Sequence, residues 1–227
     1  MKATKFLRTT ALALACAAML FSLGVCAQAQ TITYLAQSPD DGGIIQATDG
    51  NFYGSGAGGA YYHGEIFRMT PSGEISTLYS FCAQVVCEGA LPPILGSDGN
   101  LYGVTSNYEN SNEAGGVFYK LTLSGDFTIL YRFCAGSGCA DGLDPNSVIQ
   151  ASDGNFYGTT GGGGAGGAGT IFSISPAGEF KLLYTFCSLA NCTDGGYPVS
   201  PPAQGDDGNF YGVARVGGAA GAASSTS

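Results

Sequence analysis

The stretch "ASDGNFYGTT" (residues 151–160) returns almost unchanged as "ATDGNFYGSG" (47–56), "GSDGNLYGVT" (96–105) and "GDDGNFYGVA" (205–214). Its aspartates, Asp49, Asp98, Asp153 and Asp207, stand 49, 55 and 54 residues apart. A period near 50 is that of propeller blades or solenoid rungs. In each copy Asp-Gly falls between two strand-forming runs, such as "VIQAS" and "NFYGTT", and that is a strong hairpin signal. The expected turn is a two-residue type I′ with both central residues at positive φ.

Each Asp-Gly element is followed by a glycine-rich gap and then by a second paired unit: "GEIFRMTPSGEISTLYSF" (64–81), "GVFYKLTLSGDFTILYRF" (116–133) and "GTIFSISPAGEFKLLYTF" (169–186). The second hairpin turns at Pro71-Ser72-Gly73, Ser124-Gly125 and Pro176-Ala177-Gly178, where proline presets φ and glycine tolerates the left-handed position. In the strand after it, Phe180, Leu182, Tyr184 and Phe186 alternate onto one face, as do Ile75, Thr77, Tyr79 and Phe81. Leu78, Leu130 and Leu183 fall on the other face, so such a strand expects a neighbour on both sides. Four antiparallel strands per repeat predict an all-β fold: β-propeller-like tandem four-stranded antiparallel blades in an incomplete ring, with a β-solenoid as the alternative.

Blades are expected at about 38–81, 92–133 and 145–186, with a partial blade at 198–216, inside a repeat domain spanning 30–221. Residues 31–37 ("TITYLAQ") match a lone fourth strand, and 222–227 read as a disordered tail. Two closures follow: a composite fourth blade completed by both ends of the chain, or an arc of a larger ring. The arc is the expected arrangement. Its exposed blade faces would favour self-association.

The Asp-Gly-Asn-Phe-Tyr-Gly, Gly-Thr-Ile-Phe, Pro-x-Gly and Leu-Tyr-x-Phe-Cys elements resemble the GloVer tandem repeat of secreted bacterial proteins, found in choice-of-anchor proteins. The resemblance runs from Thr31 to about Gly221. It implies an exported repeat protein, often with a C-terminal surface anchor, and no particular activity. No anchor follows the fourth copy here, so attachment to a cell is not expected.

The first 29 residues carry Lys2, Lys5 and Arg8, then an apolar run from Ala11 to Val25, and end in Ala27-Gln28-Ala29. These are the parts of a secretory signal peptide, with cleavage expected near Ala29 and an extracellular or periplasmic product. A lipoprotein reading through Cys26 is weaker, because Val25 precedes it. The apolar run is too short for a membrane span, which takes about 20 residues. The full chain has 8 Lys and Arg against 17 Asp and Glu, a formal net charge of −9, and loss of the leader's three cations takes it to −12. Nucleic acid and anionic membranes are excluded as expected partners.

Six cysteines remain after the leader, as Cys82 and Cys87, Cys134 and Cys139, Cys187 and Cys192. Identical spacing within a repeat makes neighbour pairing the simplest disulfide scheme, and export places the pairs where disulfides persist. A metal site would need further ligands, and the only histidine is His63.

In an up-down-up-down blade, the Asp-Gly and Pro-x-Gly turns share one end. The glycine-rich gaps and cysteine loops share the other, and these vary from copy to copy, as binding loops do. That end gathers Tyr61, Tyr62, His63, Tyr108, Glu109, Glu113, Asp141, Asp144, Asp194 and Tyr197, aromatics beside carboxylates that suit sugars or cations. Solvated loops of an acidic protein would look the same. "GGGGAGG" (161–167) lacks the strand-helix context of a dinucleotide loop. His63 has glycine and alanine at its counterparts and no nucleophile elbow to serve, so no catalytic residue is assigned. Asp49, Asp98, Asp153 and Asp207 with their asparagines offer calcium-like oxygens. Each already has a turn to make, so no metal or other cofactor is expected. The function expected is an extracellular repeat protein binding a polysaccharide or cell-surface partner; the alternatives are a carbohydrate-active propeller enzyme with paired acids, or a passive adhesive module.

Overall fold

The computed structural model describes residues 43–60, 64–81, 89–106 and 115–217, and the backbone of strands at 2–7, 31–37 and 225–226. β1 (Lys2–Leu7) and β2 (Thr31–Gln37) pair antiparallel as a separate two-stranded sheet. Every other sheet belongs to one repeat. The first blade runs β3 (Ile44–Gln46), β4 (Phe52–Gly56), β5 (Glu65–Met69) and β6 (Ile75–Ser80), hydrogen-bonded in chain order. In the second, the first strand is split into β7 (Gly89–Ala90) and β8 (Ile94–Leu95), both on β9 (Leu101–Ser106), followed by β10 (Val117–Leu121) and β11 (Phe127–Arg132). Pro92 and Pro93 lie in the split, because neither has an N–H to give the ladder. The third blade is β12 (Leu143–Gln150), β13 (Phe156–Gly162), β14 (Thr170–Ile174) and β15 (Phe180–Thr185). The fourth has β16 (Gly196–Pro198) and β17 (Ala203–Gln204) on one side of β18 (Phe210–Val216) and β19 (Ser225–Thr226) on the other. The chain is all-β and propeller-like, as expected, and its blades form an unclosed series.

Two local expectations are corrected. The Asp-Gly turn is not type I′: Gly154 N–H donates to Ala151 O at 2.9 Å, Gly154 sits at φ 83°, and Asp153 is not at positive φ. A type I turn closed by a left-handed glycine bulge does the same work and leaves the aspartate unstrained. The fourth strand does not alternate throughout. Opposite Ile66 and Phe67 stand Tyr79 and Thr77, so Leu78 is an extra residue, and Leu130 and Leu183 repeat the bulge. Opposed residues share a face, so the bulge sends Ile75 and Thr77 to one side of the sheet and Tyr79 to the other. One strand thereby serves two seams.

Those seams hold the core. Between the first and second blades lie Tyr53, Ile66, Phe81, Leu101, Tyr119 and Leu121, and between the second and third Tyr102, Phe118, Phe133, Phe156, Phe172 and Ile174, all buried. Tyr79 stacks on Phe127 at 4.1 Å and Tyr131 on Phe180 at 4.4 Å between ring centroids, each 9° from parallel. Among the described residues the apolar cluster buried at the third seam is smaller, Ala168, Phe186 and Ala214. Tyr184, in the place of Tyr79 and Tyr131, is exposed and meets only Phe186 of its own blade among the described rings.

Tyr119 is completely buried, and its hydroxyl has no hydrogen-bond partner among the described residues. Burial raises its phenol above the usual range. Phe67 and Phe172 occupy the same place in the first and third blades. Tyr119→Phe is therefore expected to stabilise the protein by about 1 kcal/mol, by removing an uncompensated polar group. Thermal denaturation should show a higher Tm; a lower one would mean that the hydroxyl is satisfied.

Candidate functional site

The turn end is built from one clip used four times. Asn51 N–H donates to Asp49 Oδ1 at 3.0 Å, Asn51 Nδ2 to Oδ2 at 2.8 Å, and the Tyr53 hydroxyl to Oδ2 at 2.8 Å. The same three bonds tie Asp98 to Asn100 and Tyr102, Asp153 to Asn155 and Tyr157, and Asp207 to Asn209 and Tyr211. This is why aspartate, asparagine and tyrosine recur at fixed offsets. Desolvation would raise the Asp98 carboxyl, but the bond from Lys120 at 2.8 Å and those from Asn100 and Tyr102 outweigh it and hold it well below the usual range. Tyr53 is pushed up to about 12 by burial and then by its bond to Asp49. The four carboxylates are thus committed to the scaffold.

A second bond joins these turns across the seams. Gln150 Nε2 donates to Gly154 O within its own blade at 2.8 Å, while Gln150 Oε1 accepts from Ser97 N–H of the blade before at 2.7 Å. Gln204 repeats the arrangement, accepting from Ser152 N–H at 3.0 Å. The second blade has Leu95 at that position and lacks the bond.

At the loop end, Cys134–Cys139 and Cys187–Cys192 are bridged, and all four cysteines sit at positive φ, between 46° and 58°. Asp141 lies two residues past its bridge. It accepts from the Tyr131 hydroxyl at 2.8 Å and from Cys134 N–H at 3.1 Å. Asp194 accepts from the Tyr184 hydroxyl at 2.8 Å, Ser188 N–H at 2.8 Å and Ser188 Oγ at 2.7 Å. Desolvation opposes ionisation of Asp194, but the Ser188 and Tyr184 bonds prevail and lower it. Both carboxylates close the disulfide loop onto the preceding strand, a role that their place in a variable loop did not reveal.

Asp144 and Tyr197 stand apart from these. Each is the residue before a proline, Pro145 and Pro198, and each adopts the left-handed conformation, at φ 54° and 55°. Steric clash with a following proline disfavours helical φ/ψ, and left-handed backbone costs a residue with a Cβ about 1–2 kcal/mol. The surrounding structure holds both in the same way. Asp144 N–H donates to Gly115 O of the second blade at 3.1 Å, and Tyr197 N–H to Ala168 O of the third at 2.7 Å. Both open the first strand of their blade, and Tyr197 is 45% exposed. Of the other expected face residues, Tyr61, Tyr62, His63, Tyr108, Glu109 and Glu113 lie outside the described residues, as do Cys82 and Cys87. A small, mainly apolar cavity separates the third and fourth blades, lined by Thr159, Ile171, Phe186, Pro198, Phe210 and Val213. Among the described residues no cluster of His, Cys, Asp and Glu could hold a metal ion, and no helix is long and apolar enough to cross a membrane.

The Gloeobacter/Verrucomicrobia repeat matches residues 17–225 of this sequence. No curated protein matches it. Among solved structures it is similar to virginiamycin B lyase from Staphylococcus aureus, with a TM-score of 0.55 and 17% identity over 87% of this chain and 59% of that one. A luciferin-regenerating enzyme gives 0.52 and 14% identity over 82% of this chain and 59% of that one. A putative gluconolactonase gives 0.50 and 14% over 76% and 56%. The chain therefore spans under two thirds of the length of these structures, and at such identities the likeness is one of fold.

Proposed function

The chain belongs to the Gloeobacter/Verrucomicrobia repeat family, and from that premise we propose that it is an exported, non-catalytic binding protein whose loop end takes a polysaccharide. The observation that carries this reading is the pair Asp144 and Tyr197, held left-handed before proline at equivalent places in two adjacent blades. Strain of this kind clusters at ligand sites, where a side chain is kept in a direction that relaxed backbone would not give it. A tyrosine ring offers a flat apolar face for a sugar, and a carboxylate accepts hydrogen bonds from its hydroxyls. The formal net charge of −9 argues for a neutral or amino-sugar polymer over a polyanion. Export is supported by the leader-like first 29 residues and by two disulfides, which persist in oxidising compartments.

The test separates strain from stability. Tyr197→Gly and Asp144→Gly are each expected to stabilise the fold by about 1 kcal/mol, since glycine adopts positive φ freely. Each is also expected to weaken binding about tenfold. Retention on cellulose, xylan, chitin and chitosan, followed by calorimetry with oligosaccharides of the retained polymer, reads the binding; thermal denaturation reads the stability. Failure of the wild-type chain to bind any of these polymers would overturn the reading.

A further inference from the structure

Two side chains of the third blade grip the backbone beside Tyr197. Asn146 Nδ2 donates to Pro198 O at 2.7 Å and to Thr159 Oγ1 at 3.1 Å, and the buried Thr159 hydroxyl donates in turn to Ser200 O at 2.9 Å. On the other side, Tyr197 N–H donates to Ala168 O of the same blade at 2.7 Å. The third blade therefore fixes this segment at both ends, by the amide hydrogen of Tyr197 and by the carbonyl of Pro198, and the proline between them has a locked φ. Turning Tyr197 away from φ 55° would break one of these anchors.

The matching place at the preceding seam is closed differently. Ala90 pairs with Thr105 as Pro145 pairs with Thr160, so Leu91 and Val104 of the second blade stand where Asn146 and Thr159 stand in the third. Leu91 and Val104 pack into the apolar cluster of their seam, and their side chains carry no donor. An apolar pair thus suffices to close a seam, while an amide and a hydroxyl must first be desolvated and return little net stability. What the polar pair adds is direction: it holds one carbonyl of the next blade in one place.

We propose that Asn146 is the positioning residue for Tyr197. Its amide locks the left-handed backbone that aims the ring at the ligand, and Thr159 orients the amide. This rests on the polysaccharide reading above and makes its two residues unequal: Tyr197 depends on an amide clamp, and Asp144, with Leu91 in the corresponding place before it, does not.

Asn146→Leu installs the second blade's residue, and Asn146→Asp removes the donors at nearly constant shape. In the unliganded protein, either variant should speed hydrogen exchange of Tyr197 N–H at least about tenfold and leave that of Asp144 N–H unchanged. Calorimetry with oligosaccharides of the retained polymer should show binding about tenfold weaker. A double-mutant cycle separates aiming from general loosening: Asn146→Leu should add nothing to Tyr197→Gly, where no ring is left to aim, and its full factor to Asp144→Gly. Unchanged exchange at Tyr197, faster exchange at both amides, or an additive loss with Tyr197→Gly would overturn the proposal and, with wild-type binding intact, leave the polysaccharide reading standing. A wild-type chain that binds none of the polymers would overturn that reading and the aiming of the ring with it, while exchange still decides whether Asn146 fixes the Tyr197 backbone.

Discussion

Gly116→Val is expected to cost the protein about 3 kcal/mol or more, from two penalties that add. Gly116 lies at φ 88°, and its carbonyl accepts from Phe133 N–H at 2.9 Å. A side chain there would meet the Thr105 carbonyl oxygen and, at 2.7 Å, Cδ of Pro145 in the next blade. The left-handed backbone accounts for about 1–2 kcal/mol and overpacking of the seam for a further 1–3 kcal/mol. Gly138 supplies the control: it has nearly the same φ, 88°, but open space around it. Gly138→Ala should cost only about 1 kcal/mol. Urea unfolding of the two variants reads the difference, and equal midpoints would show that the seam does not need the glycine.

The second large effect belongs to the bridges. Each described disulfide closes a loop of six residues, a constraint on the unfolded chain that contributes about 2 kcal/mol on the entropy model. Replacing Cys134, Cys139, Cys187 and Cys192 by serine should therefore lower stability by about 4 kcal/mol. The loss should be local at first. Hydrogen exchange of Cys134 N–H, held by Asp141, and of Ser188 N–H, held by Asp194, should accelerate well before that of β10 or β14. If these amides stay protected after reduction, the tyrosine–aspartate ties hold the loops and the bridges are dispensable.

How much of this was legible in the residues depended on whether a feature repeats. The period, the strand order and the two kinds of loop end follow from recurrence alone, because four copies of one hairpin leave little choice of fold. The turn type did not follow, because Asp-Gly fits both a type I′ turn and a type I turn with a glycine bulge. Nor did the side on which Tyr79 lies. Leu78 is an apolar residue in an apolar strand, and nothing in its type marks it as the extra one that reverses the alternation. The Asp-Asn-Tyr offsets were visible and only part of their meaning was read: the aspartates and asparagines were assigned to the turn in preference to a cation, but nothing in residue type showed that the asparagine amide and the tyrosine hydroxyl both donate to the aspartate. Asp144 and Tyr197 were placed on the candidate face from their loop positions alone. Their backbone conformation has no signature in residue type, because a left-handed aspartate or tyrosine is imposed by what surrounds it.

Each Asp-Asn-Tyr clip is complete within five residues of chain, so its formation asks nothing of the rest of the molecule. Four such nuclei can ignite independently, and a polypeptide released from one end can set each before the next has emerged. The same autonomy carries a hazard. Interchangeable nuclei do not encode their own rank in the order, so fidelity of assembly falls to the few places where the copies differ, such as Leu95 among the glutamines.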